Sequence, residues 1–227
     1  MKPAPLLVSL HLPKTAGTSF AETLRAACGV GFRADYDDLP MQHGTWRRRR
    51  DAVRGGLALR GRLGADVTCI HGHFLALKYR IALGPRPVRY ITWLRDPVQR
   101  LVSHHAYWRR DYDGSDPAQP LRNRMLREDW SFERFALGRE MRNVYRQYLW
   151  GFDLARFDFI GITERYESDL DRLAPILGCE PVVAAALVNP ESGDDGYEVE
   201  PGLRRRIERH HAADVALYQR VLGRRSR

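Results

Sequence analysis

The chain has 227 residues, is 44% hydrophobic and carries a formal net charge of +9. That length and apolar content suit a single domain over residues 1–227 with one full core. No stretch is long and apolar enough for a membrane-spanning helix, and the scattered Cys28, Cys69 and Cys179 form no C-x-x-C pair, which argues against a disulfide framework and a zinc site alike.

In chain order, the first predicted element is an apolar strand, Leu6 to Leu10, preceded by Pro3 and Pro5 rather than by a secretory signal pattern. It runs into Pro13-Lys14-Thr15-Ala16-Gly17-Thr18-Ser19, and an amphipathic run from Phe20 to Ala27 follows, closed by Gly29. This reads as strand, tight loop, helix. Such a loop turns free N–H groups toward an anion, aided by the helix dipole. Gly17 permits close backbone approach. Thr15, Thr18 and Ser19 add hydroxyl donors. Lys14 is one of only three lysines in an arginine-rich chain, a compact charge on a flexible stem. The order is not G-x-x-x-x-G-K-[ST], because the lysine precedes the glycine and the first glycine is missing. The alternative makes Thr18 and Ser19 plain helix caps, which leaves Lys14 and Gly17 without a role.

The run Trp46 to Arg50 reads as a loop or the first turn of a helix. A second strand is predicted from Asp66 to His71, leading into "IHGHF". If it persists, its period of two sets His71 and His73 on one face. A third strand runs from Val88 to Leu94, and Pro97 then opens a helix through Arg100, Ser103, Tyr107 and Arg110. Asp111 to Gln119 is a loop. Helical periodicity returns at Ser131 to Leu137 and Asn143 to Trp150. A fourth strand at Phe157 to Thr163 leads to a helix from Tyr166 to Leu177, stopped by Gly178. The polar stretch from Asn189 to Pro201 precedes one last helix, Leu203 to Leu222. Strands alternating with helices predict an α/β fold with a mainly parallel sheet covered on both faces. Ligands of such sheets sit beyond the carboxyl ends of the strands. The Lys14 loop, His71, His73 and Arg95 all fall there.

Arg95 and Ser103 together suit a second phosphate. Alternatively, Arg95 pairs with Asp96 or another carboxylate. A histidine with an ordinary pKa suits removal of a hydroxyl proton. The residues alone do not decide between His71 and His73, and a metal pair or a packed histidine are the other options. No third ligand stands at a telling spacing, and Asp96, the one acid near a strand end, suits a helix start. His104-His105 and His210-His211 are expected at the surface or against substrate.

"LPKTAGTSF" followed by "RDPVQRLVSHH" resembles the sulfotransferases that use 3′-phosphoadenosine-5′-phosphosulfate (PAPS). "IHGHF" and "FIGITERYESDLDRL" are similar to the heparan sulfate and uronyl 2-O-sulfotransferase branch. The resemblance implies the three-layer α/β/α sulfotransferase fold, related to that of the nucleotide triphosphate hydrolases. It implies PAPS as sulfuryl donor and no metal. Lys14, Thr15, Ala16, Gly17, Thr18 and Ser19 would hold the 5′-phosphosulfate, with Lys14 also stabilising the leaving oxygen. Arg95 and Ser103 would hold the 3′-phosphate. His73 would act as base, with His71 assisting. The stretch from Asn189 resembles a late loop that closes over the nucleotide, so Ser192, Gly193 and Tyr197 would touch the 3′-phosphate or adenine. The acceptor would be a hydroxyl of a carbohydrate, with Lys78, Arg80, Arg109 and Arg110 either holding its carboxylates or forming a solvated face. The animal enzymes' membrane anchor has no counterpart, which implies a bacterial cytoplasmic relative. Two rival classes remain: a phosphotransferase of the nucleotide-kinase type, and a non-catalytic binder of nucleotide, nucleic acid or other polyanion. The runs Arg47 to Arg50 and Arg204 to Arg206 lack interleaved aromatics, so no nucleic-acid partner is expected.

Overall fold

A computed structural model describes residues 5–110, 112–178 and 197–225. Its elements in chain order are β1 (Leu6–Leu10), α1 (Gly17–Cys28), β2 (Phe32–Asp35), α2 (Thr45–Leu59), β3 (Cys69–Gly72), α3 (Ala76–Leu83), β4 (Val88–Leu94), α4 (Pro97–Arg109), α5 (Pro120–Arg127), α6 (Phe132–Ala136), α7 (Val144–Tyr148), β5 (Phe157–Ile162), α8 (Tyr166–Leu177), α9 (Pro201–His210) and α10 (Ala212–Arg225). The strands form one sheet in the order β2-β3-β1-β4-β5, parallel at every pairing. The two strands expected to bear on the anion loop flank β1 directly: Leu10 lies opposite Gly72 of β3 and Thr92 of β4.

Alternation along the buried strands builds two cores. Leu6, Val8 and Leu10 face the larger one, with Phe74, Leu101, Tyr145 and Tyr148. Leu7, Ile91 and Trp93 face the other, packed against Phe20 and Leu24 of α1 and Leu170 and Leu173 of α8. A parallel sheet must be covered in this way, which is why its strands read as near-continuous apolar runs. No helix among the described residues is long and apolar enough to cross a membrane.

The structure departs from the sequence-based expectations in four places. Strand β2 was not anticipated: "FRAD" is a short edge strand with exposed Arg33 and Ala34, and its pairing with β3 depends on Gly72, where a Cβ would fall 1.6 Å from the Asp35 carbonyl. Helices α3 and α5 are additional, and of the two readings of the arginine run, loop or helix start, the structure has the helix start, that of α2. Arg48 in it is buried, donating to the His43 carbonyl and to the Gln147 side chain. The expected last helix is two helices. Between them sits the fully buried His211, whose Nε2–H donates to the Ala136 carbonyl at 2.7 Å while its Nδ1 accepts from the Asn143 N–H at 3.2 Å. His211 is therefore no surface residue. Nor is His104, which packs against Trp108 and Phe135.

Candidate active site

The chain leaves β1 through His11 and Leu12 and reverses at Lys14 (φ 65°) and Ala16 (φ 61°), two non-glycine residues in the left-handed region. Such backbone is uncommon and is held in place by its surroundings. Thr15 supplies one hold: its hydroxyl is buried and donates to the Leu12 carbonyl at 2.9 Å. Its hydroxyl hydrogen therefore braces the loop. Gly17 also differs from expectation. A Cβ there would fall 1.8 Å from Nε2 of His11, so the glycine makes room for an imidazole. Ala16 is the N-cap of α1 and offers no side-chain bond, so neither Thr18 nor Ser19 caps the helix. The N-cap side chain thus takes none of the first N–H groups of α1, and a helix start of this kind can receive an anion. Thr18 is exposed and Ser19 buried.

Two cations meet at this edge of the sheet. The Lys14 ammonium lies 4.0 Å from the centre of the Tyr107 ring. Burial, with Arg95 and Arg110 nearby, pushes its pKa down to about 8. Among the described residues no carboxylate pairs with Lys14 or Arg95. Asp96, the obvious partner for Arg95, is committed elsewhere. One oxygen accepts the Val98 and Gln99 N–H groups at 3.0 Å and caps α4; the other accepts from Arg204 at 2.9 Å. The Arg95 peptide is clamped by the buried Tyr145 hydroxyl, which accepts its N–H at 3.1 Å and donates to its carbonyl at 2.7 Å. The Arg95 guanidinium lies 5.7 Å from the Tyr197 ring centre. Ser103 is buried on α4, about two turns beyond Arg95. Ser192 and Gly193 lie outside the described residues.

The two predicted histidines meet through a third that the sequence reading missed. Strand β3 ends at Gly72, so His73 lies beyond it and no strand period aligns the rings. They flank His11 instead, with ring centres 5.1 Å (His71) and 4.1 Å (His73) from it. Hydrogen bonds fix their protons. His71 Nε2 faces the Gly17 carbonyl at 3.2 Å and must carry the hydrogen, leaving Nδ1 to accept from the Ser9 hydroxyl at 2.8 Å. Both nitrogens are used, and burial pushes the pKa down to about 3. His73 Nδ1 faces the His11 carbonyl at 2.6 Å and must donate. Its Nε2 is then a lone-pair nitrogen without a protein partner among the described residues. Burial pushes this pKa down to about 4. His11 Nδ1 meets the Tyr36 hydroxyl at 3.1 Å.

The basic residues expected around an acceptor divide. Lys78 is buried, with its ammonium 2.8 Å from both Asp35 and Asp38, so it holds no ligand. Arg109 pairs with Asp129 at 2.7 Å, and Arg80 donates to the Gly151 carbonyl at 3.1 Å. Arg110 stays close enough to Lys14 to affect its charge. Among the described residues no cluster of three or more His, Cys, Asp or Glu side chains is arranged to hold a metal ion. A cleft of about 460 Å³ between Leu39, Arg47 and Pro120 takes none of these site residues as its walls.

No family model and no curated protein matches the chain. Among solved structures, the crystal structure of a sulfotransferase from Alicyclobacillus acidocaldarius superposes with a TM-score of 0.53 at 14% identity, over 97% of this chain and 96% of that one. A mouse sulfotransferase complexed with PAP gives a TM-score of 0.41 at 13% identity, over 90% of this chain and 62% of its own. The five-stranded parallel sheet and its covering helices are thus similar to those of the Alicyclobacillus protein, and the chain has the sulfotransferase fold.

Proposed function

We propose that the chain is a PAPS-dependent sulfotransferase acting on a hydroxyl of an acceptor, a carbohydrate in our reading. The observation that carries this is electrostatic. Lys14 and Arg95 converge at neighbouring strand ends with no carboxylate paired to either among the described residues, and α1 begins at the same edge. A half-buried ammonium with a guanidinium near it and no carboxylate partner among the described residues suits an anion. Cations at two strand ends suit a ligand with two anionic groups, as the nucleotide has.

When bound, PAPS supplies the activated sulfuryl group. Lys14 and the N–H groups of Gly17, Thr18 and Ser19 would hold its 5′ end and stabilise charge growing on the departing phosphate oxygen. Arg95, with the Tyr197 ring near it, would hold the 3′-phosphate, with Ser103 of α4 as the second donor. His73 is the base. Its Nε2 is unprotonated while the His11 carbonyl keeps the hydrogen on Nδ1, so it can take the acceptor's proton as the new S–O bond forms. His71 has no free nitrogen and serves as a strut between β1 and the loop. The carbohydrate acceptor rests on the resemblance of "IHGHF" to the 2-O-sulfotransferases and on the basic surface. A nucleotide-kinase reading would need a carboxylate near the cations for magnesium, and Asp96 is already spent on α4 and Arg204.

The test is thermal stabilisation by 3′-phosphoadenosine-5′-phosphate (PAP) compared with AMP, ADP and ATP, followed by transfer from labelled PAPS to a panel of glycans, phenols and lipids. PAP should stabilise most. Equal shifts with AMP overturn the nucleotide assignment. Transfer to phenols alone overturns the carbohydrate acceptor.

A further inference from the structure

The segment entering α9 is pinned to the first turn of α4. Gln99 Nε2 donates to the Tyr197 carbonyl at 2.8 Å, and the Tyr197 N–H donates to Gln99 Oε1 at 2.7 Å. A primary amide offers one donor face and one acceptor face. Spent on the N–H and C=O of one residue, they fix that residue's position and direction together, as a strand neighbour does. Glu200 then caps α9 by accepting from Gly202 and Leu203. The residue so gripped is the one whose ring lies beside the Arg95 guanidinium. Among the described residues, Arg95 is otherwise held at its peptide, by Tyr145. A long side chain free of any carboxylate partner samples many rotamers, and ordering it costs binding free energy. An aromatic face beside the fork narrows that choice before the ligand arrives.

We propose that Gln99 is a positioning residue: by clasping the Tyr197 backbone it sets the ring that orients Arg95, and so it raises discrimination for a nucleotide with a 3′-phosphate over one without. This rests on the assignment of Arg95 to the 3′-phosphate.

The experiment measures PAP and AMP affinity by calorimetry, with melting temperature, for wild type and variants. Gln99→Ala should lower the PAP:AMP affinity ratio roughly tenfold, the effect of about one hydrogen bond's worth of lost organisation, while AMP affinity moves less than about twofold. Gln99→Glu keeps the acceptor for the Tyr197 N–H but not the donor, and should fall between. Glu200→Ala unfastens the start of α9 without touching the clasp, so it should lower the melting temperature and leave the ratio alone. In an Arg95→Ala background, Gln99→Ala should change the ratio by less than about twofold, since coupled residues do not add. If wild type itself shows no preference for PAP, the nucleotide reading fails. If that preference exists and Gln99→Ala leaves it intact, the inference about Gln99 fails alone. A drop of equal size in Glu200→Ala, or an undiminished Gln99 effect without Arg95, also overturns it.

Discussion

Two lysines follow neighbouring strands of one sheet and meet opposite fates. Lys14, after β1, has no carboxylate partner among the described residues, and its pKa falls to about 8. Lys78, on the helix after β3, sits between Asp35 and Asp38; burial alone would lower its pKa, but the two carboxylates outweigh that and raise it. Tyr79 adds a second bond to Asp35 at 2.6 Å. A buried charge is tolerated when it is paired and hydrogen-bonded, and is costly otherwise. Lys78 is complete within the protein. Lys14 has the Tyr107 ring beside it and no carboxylate among the described residues, and under the proposed function an anion completes it. The contrast separates a structural cation from the one proposed to bind a ligand more firmly than residue type or sequence position does.

The comparison breaks most sharply at the histidine beside the incomplete region. His73→Ala should lower turnover by ~10²–10⁴-fold, the usual cost of a lost general base, with PAP affinity nearly unchanged. His71→Ala should instead loosen the loop and lower the melting temperature. Near-normal turnover in His73→Ala would remove the base assignment. The pH profile gives a second check. A depressed ring stays neutral until pH falls through its own pKa, so turnover should persist well below the ordinary histidine range and drop only toward about 4. Next in size is Lys78→Ala, which strands Asp35 and Asp38 and should cost about 3–5 kcal/mol in a denaturant titration. Lys14→Ala removes no pair and should leave stability within about 1 kcal/mol. Equal destabilisation by both would erase the distinction.

The same contrast explains what could be read from the chain. Strands β1, β4 and β5 are legible because buried parallel strands are apolar on both faces, and α8 because Gly178 stops it. Strand β2 is not, since its pairing to β3 is a long-range fact and "FRAD" is half exposed. Lys14 and Arg95 are legible because each ends a strand-to-helix turn whose local pattern is distinctive. Lys78 looks like a surface cation because its partners stand 43 and 40 residues away. His11 escapes for the same reason: its ring contacts are Gly17, Tyr36, His71 and His73, brought together by three separate strands. Thr15 has a use the sequence does not show, since its hydroxyl donates to Leu12 within the loop.

A smaller effect probes the second cation. Arg95→Ala should weaken PAP binding by about 2–3 kcal/mol, the range for a hydrogen bond to a charged group, and AMP binding far less. Isothermal calorimetry with both nucleotides checks it, and an unchanged preference for PAP would show that the open fork serves some other anion.

The finest distinction is the titration of Lys14 itself. An anion binds the ammonium and not the amine, so bound PAP must hold the Lys14 proton more tightly than the free protein does. With the free pKa at about 8, affinity should be constant below that value. It should decline as pH rises through it, by up to about tenfold per unit until the pKa of the complex is reached. The phosphates of PAP titrate near 6, below this window, and do not confuse the sign. Lys14→Arg keeps its charge and should flatten the slope between pH 8 and 9, even if its bulkier fork weakens binding overall. Lys78, held charged by two carboxylates, contributes nothing to the profile. The measurement is PAP affinity at constant ionic strength across pH 7 to 9.5, with proton uptake read from the buffer dependence of the binding enthalpy. A flat wild-type profile without proton uptake would mean that Lys14 is not the group the nucleotide completes.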